Sequence, residues 1–110
     1  DEHRKGFDLL RKAFARVQRP GWRLEAVGRV AEATKAALEG EFGDAIAVRG
    51  LVDEAALEAT YAGADVFVMP SRYEGFGIPP LEAMSSAAPV TGAEVGGLPE
   101  VVLERTGLLI

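Results

Sequence analysis

An α/β fold with a mostly parallel sheet is predicted by three features of this sequence. Apolar residues recur at helical spacing in some stretches, and as alternations or short runs in others. The two kinds of stretch alternate along the chain, which is the order that builds a parallel sheet with crossover helices. The run Asp65-Val66-Phe67-Val68-Met69 is almost continuously apolar, the pattern of a strand covered on both faces.

The elements follow in order. Phe7, Leu10, Phe14 and Val17, with Leu9 and Ala13 beside them, place an amphipathic helix over 6–18, and Pro20-Gly21 ends it. Residues 22–27 alternate apolar and charged positions and read as a strand closed by Gly28, with Trp22 assigned to the core. The Ala-rich stretch 30–38 is helical and stops around 40–44. A second strand covers 45–48, and Arg49-Gly50 turns the chain out of it. Asp53 suits the N-cap of a helix running to Ala62, with Gly63 at its C-terminal end. The third strand, 65–69, also contributes Phe67 to the core, and Pro70 terminates it before a loop over 71–77. Pro79-Pro80 opens the next helix, since proline is tolerated in a first turn, and 81–87 continue it. A fourth strand over 89–91, a short helix over 98–103 and a fifth strand over 108–110 complete one unit. No repeat, low-complexity tract or linker interrupts the 110 residues.

Composition narrows the functions open to such a fold. Twelve Lys and Arg against 17 Asp and Glu leave a net charge of −5, which opposes nucleic-acid binding and a polybasic membrane patch. An apolar fraction of 48% suits a packed core and is too high for disorder. No apolar run reaches the roughly 18 residues that would span a bilayer. The first five residues, Asp1-Glu2-His3-Arg4-Lys5, lack the apolar core of a signal peptide. Zero cysteines remove disulfides, thiolate metal sites and cysteine nucleophiles, and suit a reducing, cytoplasmic setting. A single histidine, His3, cannot build a histidine metal cluster, and its place near the chain start suggests simple exposure.

In open α/β sheets ligands bind beyond the carboxyl ends of the strands. The loop after the most apolar strand is therefore the first place to look: Ser71-Arg72-Tyr73-Glu74-Gly75-Phe76-Gly77-Ile78-Pro79-Pro80-Leu81-Glu82. Its glycines let the backbone approach a ligand, and a helix N-terminus follows, a ready anion site with phosphate as the obvious guest. Gly75-Phe76-Gly77 is only the first half of a dinucleotide fingerprint, because Pro80 holds the third glycine position. From spacing alone, a tight connection with Glu82 favouring the helix dipole explains the loop equally well.

The stretch from Ala64 to Gly77 resembles the donor-binding, C-terminal domain of retaining glycosyltransferases of GT-B fold, the glycosyl transferases group 1 (glycosyltransferase family 4). Pro80-Leu81-Glu82-Ala83-Met84 and Val95-Gly96-Gly97-Leu98-Pro99-Glu100-Val101 match the same family, and Arg4-Lys5-Gly6 looks like its Lys-Gly element. The likeness runs in order along essentially the whole chain, with the Glu74-x7-Glu82 block its most specific part. It implies a Rossmann-like domain that binds a nucleotide diphosphate sugar. Lys5, with Arg4, would pair with the diphosphate. Phe76, Gly77 and Ile78 would present backbone N–H groups near the diphosphate or sugar. Glu82 would accept the ribose hydroxyls, and Leu51 and Val52, with Asp53 beside them, would border the nucleobase. Glu74 would contact the transferred sugar and stabilise positive charge at its anomeric carbon, the catalytic role. Asp53 fits an N-cap better than a ligand contact, and Gly96-Gly97 fits a plain turn nearly as well as a donor contact.

The resemblance further implies a hexosyl transfer with retention and without a metal or other cofactor, in agreement with the absence of an Asp-x-Asp motif. A GT-B enzyme has two Rossmann-like domains, so residues 1–110 are expected to be a partial donor domain. Its partners are then the nucleotide-sugar donor and an N-terminal acceptor-binding domain of the parent chain, with no nucleic acid or membrane. An arginine-bearing first strand would lie upstream of Lys5, and the segment alone is expected to be inactive. Ser85-Ser86-Ala87-Ala88 departs from the family's Ala-Cys-Gly-type stretch. A GT-B sugar-nucleotide epimerase and a non-catalytic sugar-nucleotide-binding module are the alternative readings.

Overall fold

The computed structural model describes residues 2–75 and 77–110. Among them are five α-helices and five strands in the order α1 (Phe7–Val17), β1 (Leu24–Val27), α2 (Glu32–Phe42), β2 (Ile46–Gly50), α3 (Glu54–Gly63), β3 (Phe67–Met69), α4 (Ile78–Ser85), β4 (Val90–Gly92), α5 (Leu98–Val101) and β5 (Gly107–Leu109), with a 3-10 turn, Gly43–Ala45, between α2 and β2. Every strand pair is parallel, as the helix–strand alternation requires. The strands form two sheets rather than one: β1 with β2, Leu24 opposite Ile46, and β3-β4-β5, Phe67 opposite Val90 and Val90 opposite Gly107. β1, β2, β3 and β5 each keep one ladder edge unpaired among the described residues. Parallel sheets flanked by helices make the domain Rossmann-like.

Each sheet has its own apolar cluster. Phe14, Leu38, Phe42 and Ile46 bury one side of β1-β2, with Phe14 and Phe42 meeting edge to face at 5.3 Å. Leu38 is 1% exposed, and removing its side chain from water contributes about 1.5–3 kcal/mol. Tyr61, Ala83, Ala88, Val90 and Val102 bury the second sheet, and Phe67 packs on them, its ring 5.6 Å from that of Tyr61. Among the described residues no helix is long and apolar enough to cross a membrane.

Several boundaries move for identifiable reasons. α2 runs on to Phe42, past Gly40, because Leu38 and Phe42 lie one turn apart and both reach the core. Trp22 is not core: it is 49% exposed in the turn before β1, with the Arg19 guanidinium 5.8 Å from its ring centre. The strand predicted from residue 22 begins only at Leu24. β3 starts at Phe67, and Val66 is 53% exposed, so the apolar run is covered over its second half only. α4 starts at Ile78, ahead of its two prolines, and α5 stops at Val101. Asp53 caps α3 as expected, its Oδ1 accepting the Ala56 N–H at 2.8 Å.

Candidate functional site

The loop leaving β3 is held by neighbours on both sides. Gly6, at φ 72°, packs so closely that a Cβ there would overlap the Pro70 carbonyl. On the other side Gly96, at φ 55°, leaves no room for a Cβ against the Glu74 carbonyl, and the Gly97 N–H donates to the Gly75 carbonyl at 2.7 Å. Gly96 is thus required for close backbone approach, a reason beyond a plain turn. Ser71 is 1% exposed, and its Oγ has no hydrogen-bond partner among the described residues.

α4 opens from this loop at Gly77, but its anion-binding capacity is narrower than a generic helix start. Pro79 and Pro80 fill its second and third positions and carry no N–H. The amides left at the tip are those of Gly77 and Ile78, and neither donates a hydrogen bond within the described residues. Ile78 is 58% exposed. Phe76 lies outside the described residues.

Lys5 and Glu74, 69 positions apart, meet here. The Lys5 Nζ donates to Glu74 Oε2 at 3.2 Å and to Oε1 at 3.5 Å. The Glu74 side chain is 11% exposed and that of Lys5 44%, so the carboxylate forms the floor of the contact and the ammonium its rim. The Arg4 Nη1 reaches the Tyr73 carbonyl at 3.5 Å.

Arg72 and Asp8 were not singled out by sequence reasoning, yet they tie this region together. The Arg72 Nη1 and Nη2 donate to the two Asp8 carboxylate oxygens at 2.6 and 2.8 Å, and Nη1 also donates to the His3 carbonyl at 2.7 Å. The Arg72 main-chain N–H donates to the Arg4 carbonyl at 2.8 Å. These hydrogen bonds to Arg72 hold the Asp8 carboxyl well below the usual carboxylate range. Arg72 belongs to the recognisable motif, but 64 residues separate it from Asp8, and no local spacing signals such a pair. His3 is exposed, as expected.

Glu82 lies elsewhere. It lines a cleft of about 250 Å³ between α3 and α4, with Glu54, Leu57, Glu58, Tyr61, Ser85 and Ser86. Burial, reinforced by the charge and hydrogen bonding of Glu82, pushes the Tyr61 hydroxyl up to about 12. Leu51, 70% exposed, and half-buried Val52 sit just before the Asp53 cap of α3, whose first residue, Glu54, lines the same cleft. The expected residues therefore separate: Arg4, Lys5 and Glu74 at the loop, Glu82 in the α3–α4 cleft, and Leu51 and Val52 in the turn before α3. Gly77 and Ile78 stand at the tip of α4 itself. A larger hollow of about 670 Å³ is lined by Gln18, Arg19, Trp22 and Asp44 among others. It lies before the first residues of β1 and β2, the wrong ends of the strands for a ligand in this fold class.

The fold and the loop are those of a known family. The family model described as Glycosyl transferases group 1 matches residues 1–110, and the chain belongs to that family, as a GT-B glycosyltransferase domain. It is 38% identical, over 98% of its length, to the lipopolysaccharide core biosynthesis mannosyltransferase LpsB of Rhizobium meliloti, covering 34% of that protein. It is 39% identical, over 96% of its length, to the D-inositol 3-phosphate glycosyltransferase of Segniliparus rotundus, covering 26% of that protein. Among solved structures, the sucrose-phosphate synthase of Thermosynechococcus elongatus superposes with a TM-score of 0.84 at 36% identity, over 98% of this chain and 29% of that one. WaaG, a glycosyltransferase involved in lipopolysaccharide biosynthesis, gives a TM-score of 0.83 at 26% identity, over 100% of this chain and 31% of that one. The chain thus spans about a third or less of each of these proteins.

Proposed function

We propose that this domain binds the nucleotide diphosphate sugar donor of a retaining hexosyltransferase that needs no metal. The observation that carries the reading is the Lys5–Glu74 contact at 3.2 Å on the loop that leads into the Gly77 and Ile78 amides, which donate no hydrogen bond among the described residues. A cation and two N–H groups at a helix start suit a diphosphate, whose negative charge grows as the sugar–phosphate bond breaks. The Glu74 carboxylate beside them suits the sugar, whose anomeric carbon turns positive in the same step. The α3–α4 cleft is acidic, with Glu54, Glu58 and Glu82 on its walls. Carboxylates accept ribose hydroxyls and repel phosphates, so the nucleoside end belongs there, with Leu51 and Val52 against the base. Transfer itself is assigned to the full-length chain, with an acceptor-binding domain completing the cleft.

Titration calorimetry on the full-length protein tests the assignment of Glu82. Glu82→Ala is expected to weaken nucleoside diphosphate and intact sugar nucleotide by similar factors of roughly ten or more, the worth of a hydrogen bond to a charged carboxylate. A role for Glu82 confined to the helix dipole predicts unchanged affinity for both ligands, and that result refutes the ribose assignment.

A further inference from the structure

We propose that Asp8 and Arg72 are positioning residues: their two-pronged pair seats the turn around Lys5 on the β3–α4 loop and so sets the Lys5 ammonium where a donor diphosphate is met. The inference rests on the proposed diphosphate role of Lys5.

Lys5 belongs to no helix or strand, and its own side chain is long and 44% exposed. Glu74 meets the ammonium itself, but where that ammonium can reach is set by what fixes the main chain on either side of it. Upstream, Glu2 is anchored on the β1-β2 half: its Oε1 accepts the Ala31 N–H at 2.8 Å and its Oε2 the Thr34 hydroxyl at 2.9 Å. Those bonds cap α2, whose N-cap residue Ala31 offers no side-chain cap. Downstream, Asp8 is held on the β3 half by both nitrogens of the Arg72 fork. Between these anchors Arg72 takes the His3 carbonyl through Nη1 and the Arg4 carbonyl through its main-chain N–H, at 2.7 and 2.8 Å. Lys5 is thus the next residue after two carbonyls bound by Arg72, and Gly6 then lies against Pro70. One guanidinium orders the turn and the loop together. Only an arginine fits, because lysine presents no planar fork for a carboxylate.

An exposed ion pair by itself contributes little to stability. A pair that acts through Lys5 leaves a different signature, loss of diphosphate affinity that disappears once Lys5 is gone. The experiment is titration calorimetry of the full-length protein with a nucleoside diphosphate and with the parent nucleoside, for Asp8→Asn, Arg72→Lys, Lys5→Ala and the double variants with Lys5→Ala. Thermal melts run alongside. Expected are a loss of roughly fivefold or more in diphosphate affinity for Asp8→Asn and Arg72→Lys, unchanged nucleoside affinity, and no further loss in the Lys5→Ala background. If Lys5→Ala weakens the diphosphate but Asp8→Asn and Arg72→Lys do not, the positioning role is overturned and the reading of Lys5 stands. If Lys5→Ala has no effect, that reading fails and the inference falls with it. An Arg72→Lys loss that persists in full without Lys5 means that Arg72 meets the ligand directly, which also overturns the proposal.

Discussion

Removing the Glu74 carboxylate should separate binding from turnover. Glu74 holds Lys5 at 3.2 Å, so a donor diphosphate bound as proposed would compete with Glu74 for the same ammonium. Glu74→Ala ends that competition. The contact is partly exposed, with 44% of the Lys5 side chain open to solvent, and pairs of this kind contribute about 0.2–1 kcal/mol. At 1.4 kcal/mol per tenfold, nucleoside diphosphate affinity should stay constant or rise by up to about fivefold. Turnover should move the other way. If Glu74 stabilises charge that appears only in the transition state, its loss lowers kcat and not ground-state binding. A charge-assisted hydrogen bond of about 1.5–3 kcal/mol corresponds to a fall of at least roughly tenfold. Calorimetry with the nucleoside diphosphate and steady-state transfer assays, both on the full-length protein, measure the two quantities. A tenfold loss of nucleoside diphosphate affinity in Glu74→Ala refutes the division of roles between Glu74 and Lys5.

Three other outcomes follow from the geometry. Ala87 sits at φ 63° after α4, in the left-handed region that disfavours a side chain by about 1–2 kcal/mol. After the extra unfolded-state freedom of glycine, Ala87→Gly should stabilise by roughly 0.5–1 kcal/mol, read as a raised urea midpoint at unchanged slope; a lowered midpoint contradicts this. Tyr61, raised from 10.0 to about 12, keeps its proton longer in the folded state than in the unfolded one. Its contribution to stability is therefore complete below pH 10 and is lost as pH rises through about 12, and Tyr61→Phe should flatten that part of the pH–stability curve. Finally, the 110-residue chain expressed alone should self-associate, because among the described residues β1, β2, β3 and β5 each present an open ladder edge; a monomer that melts cooperatively overturns this.

The α/β class, the order of the five α-helices and five strands and the loop that carries the motif were all legible before any packing was known, since each of these is written in near-neighbour patterns. Helical spacing marks α1, the apolar run marks β3, and Asp53 announces the start of α3 by a bond only three residues long. The family, too, was legible in the ordered motif words around Glu74 and Glu82. Where the local pattern misled, the cause was tertiary. Trp22 matched an alternation but fell in a turn, and Gly40 gave a stop signal that the packing of Phe42 overrode.

How the site is assembled emerges only from packing across the chain. Residues 2–8 lie at one end of the chain and the β3–α4 loop far along it, and nothing in either stretch encodes their distance. Crossover connections put the end of β3 beside the start of α1, and there Lys5 finds Glu74, and Asp8 finds Arg72. The same packing puts Glu82 on the wall of the α3–α4 cleft, whose lining does not include Glu74, although only seven residues separate the two. Spacing along a chain reports which face of an element a residue occupies. Which elements share a site is settled by the order in which strands pair and by which helix covers them.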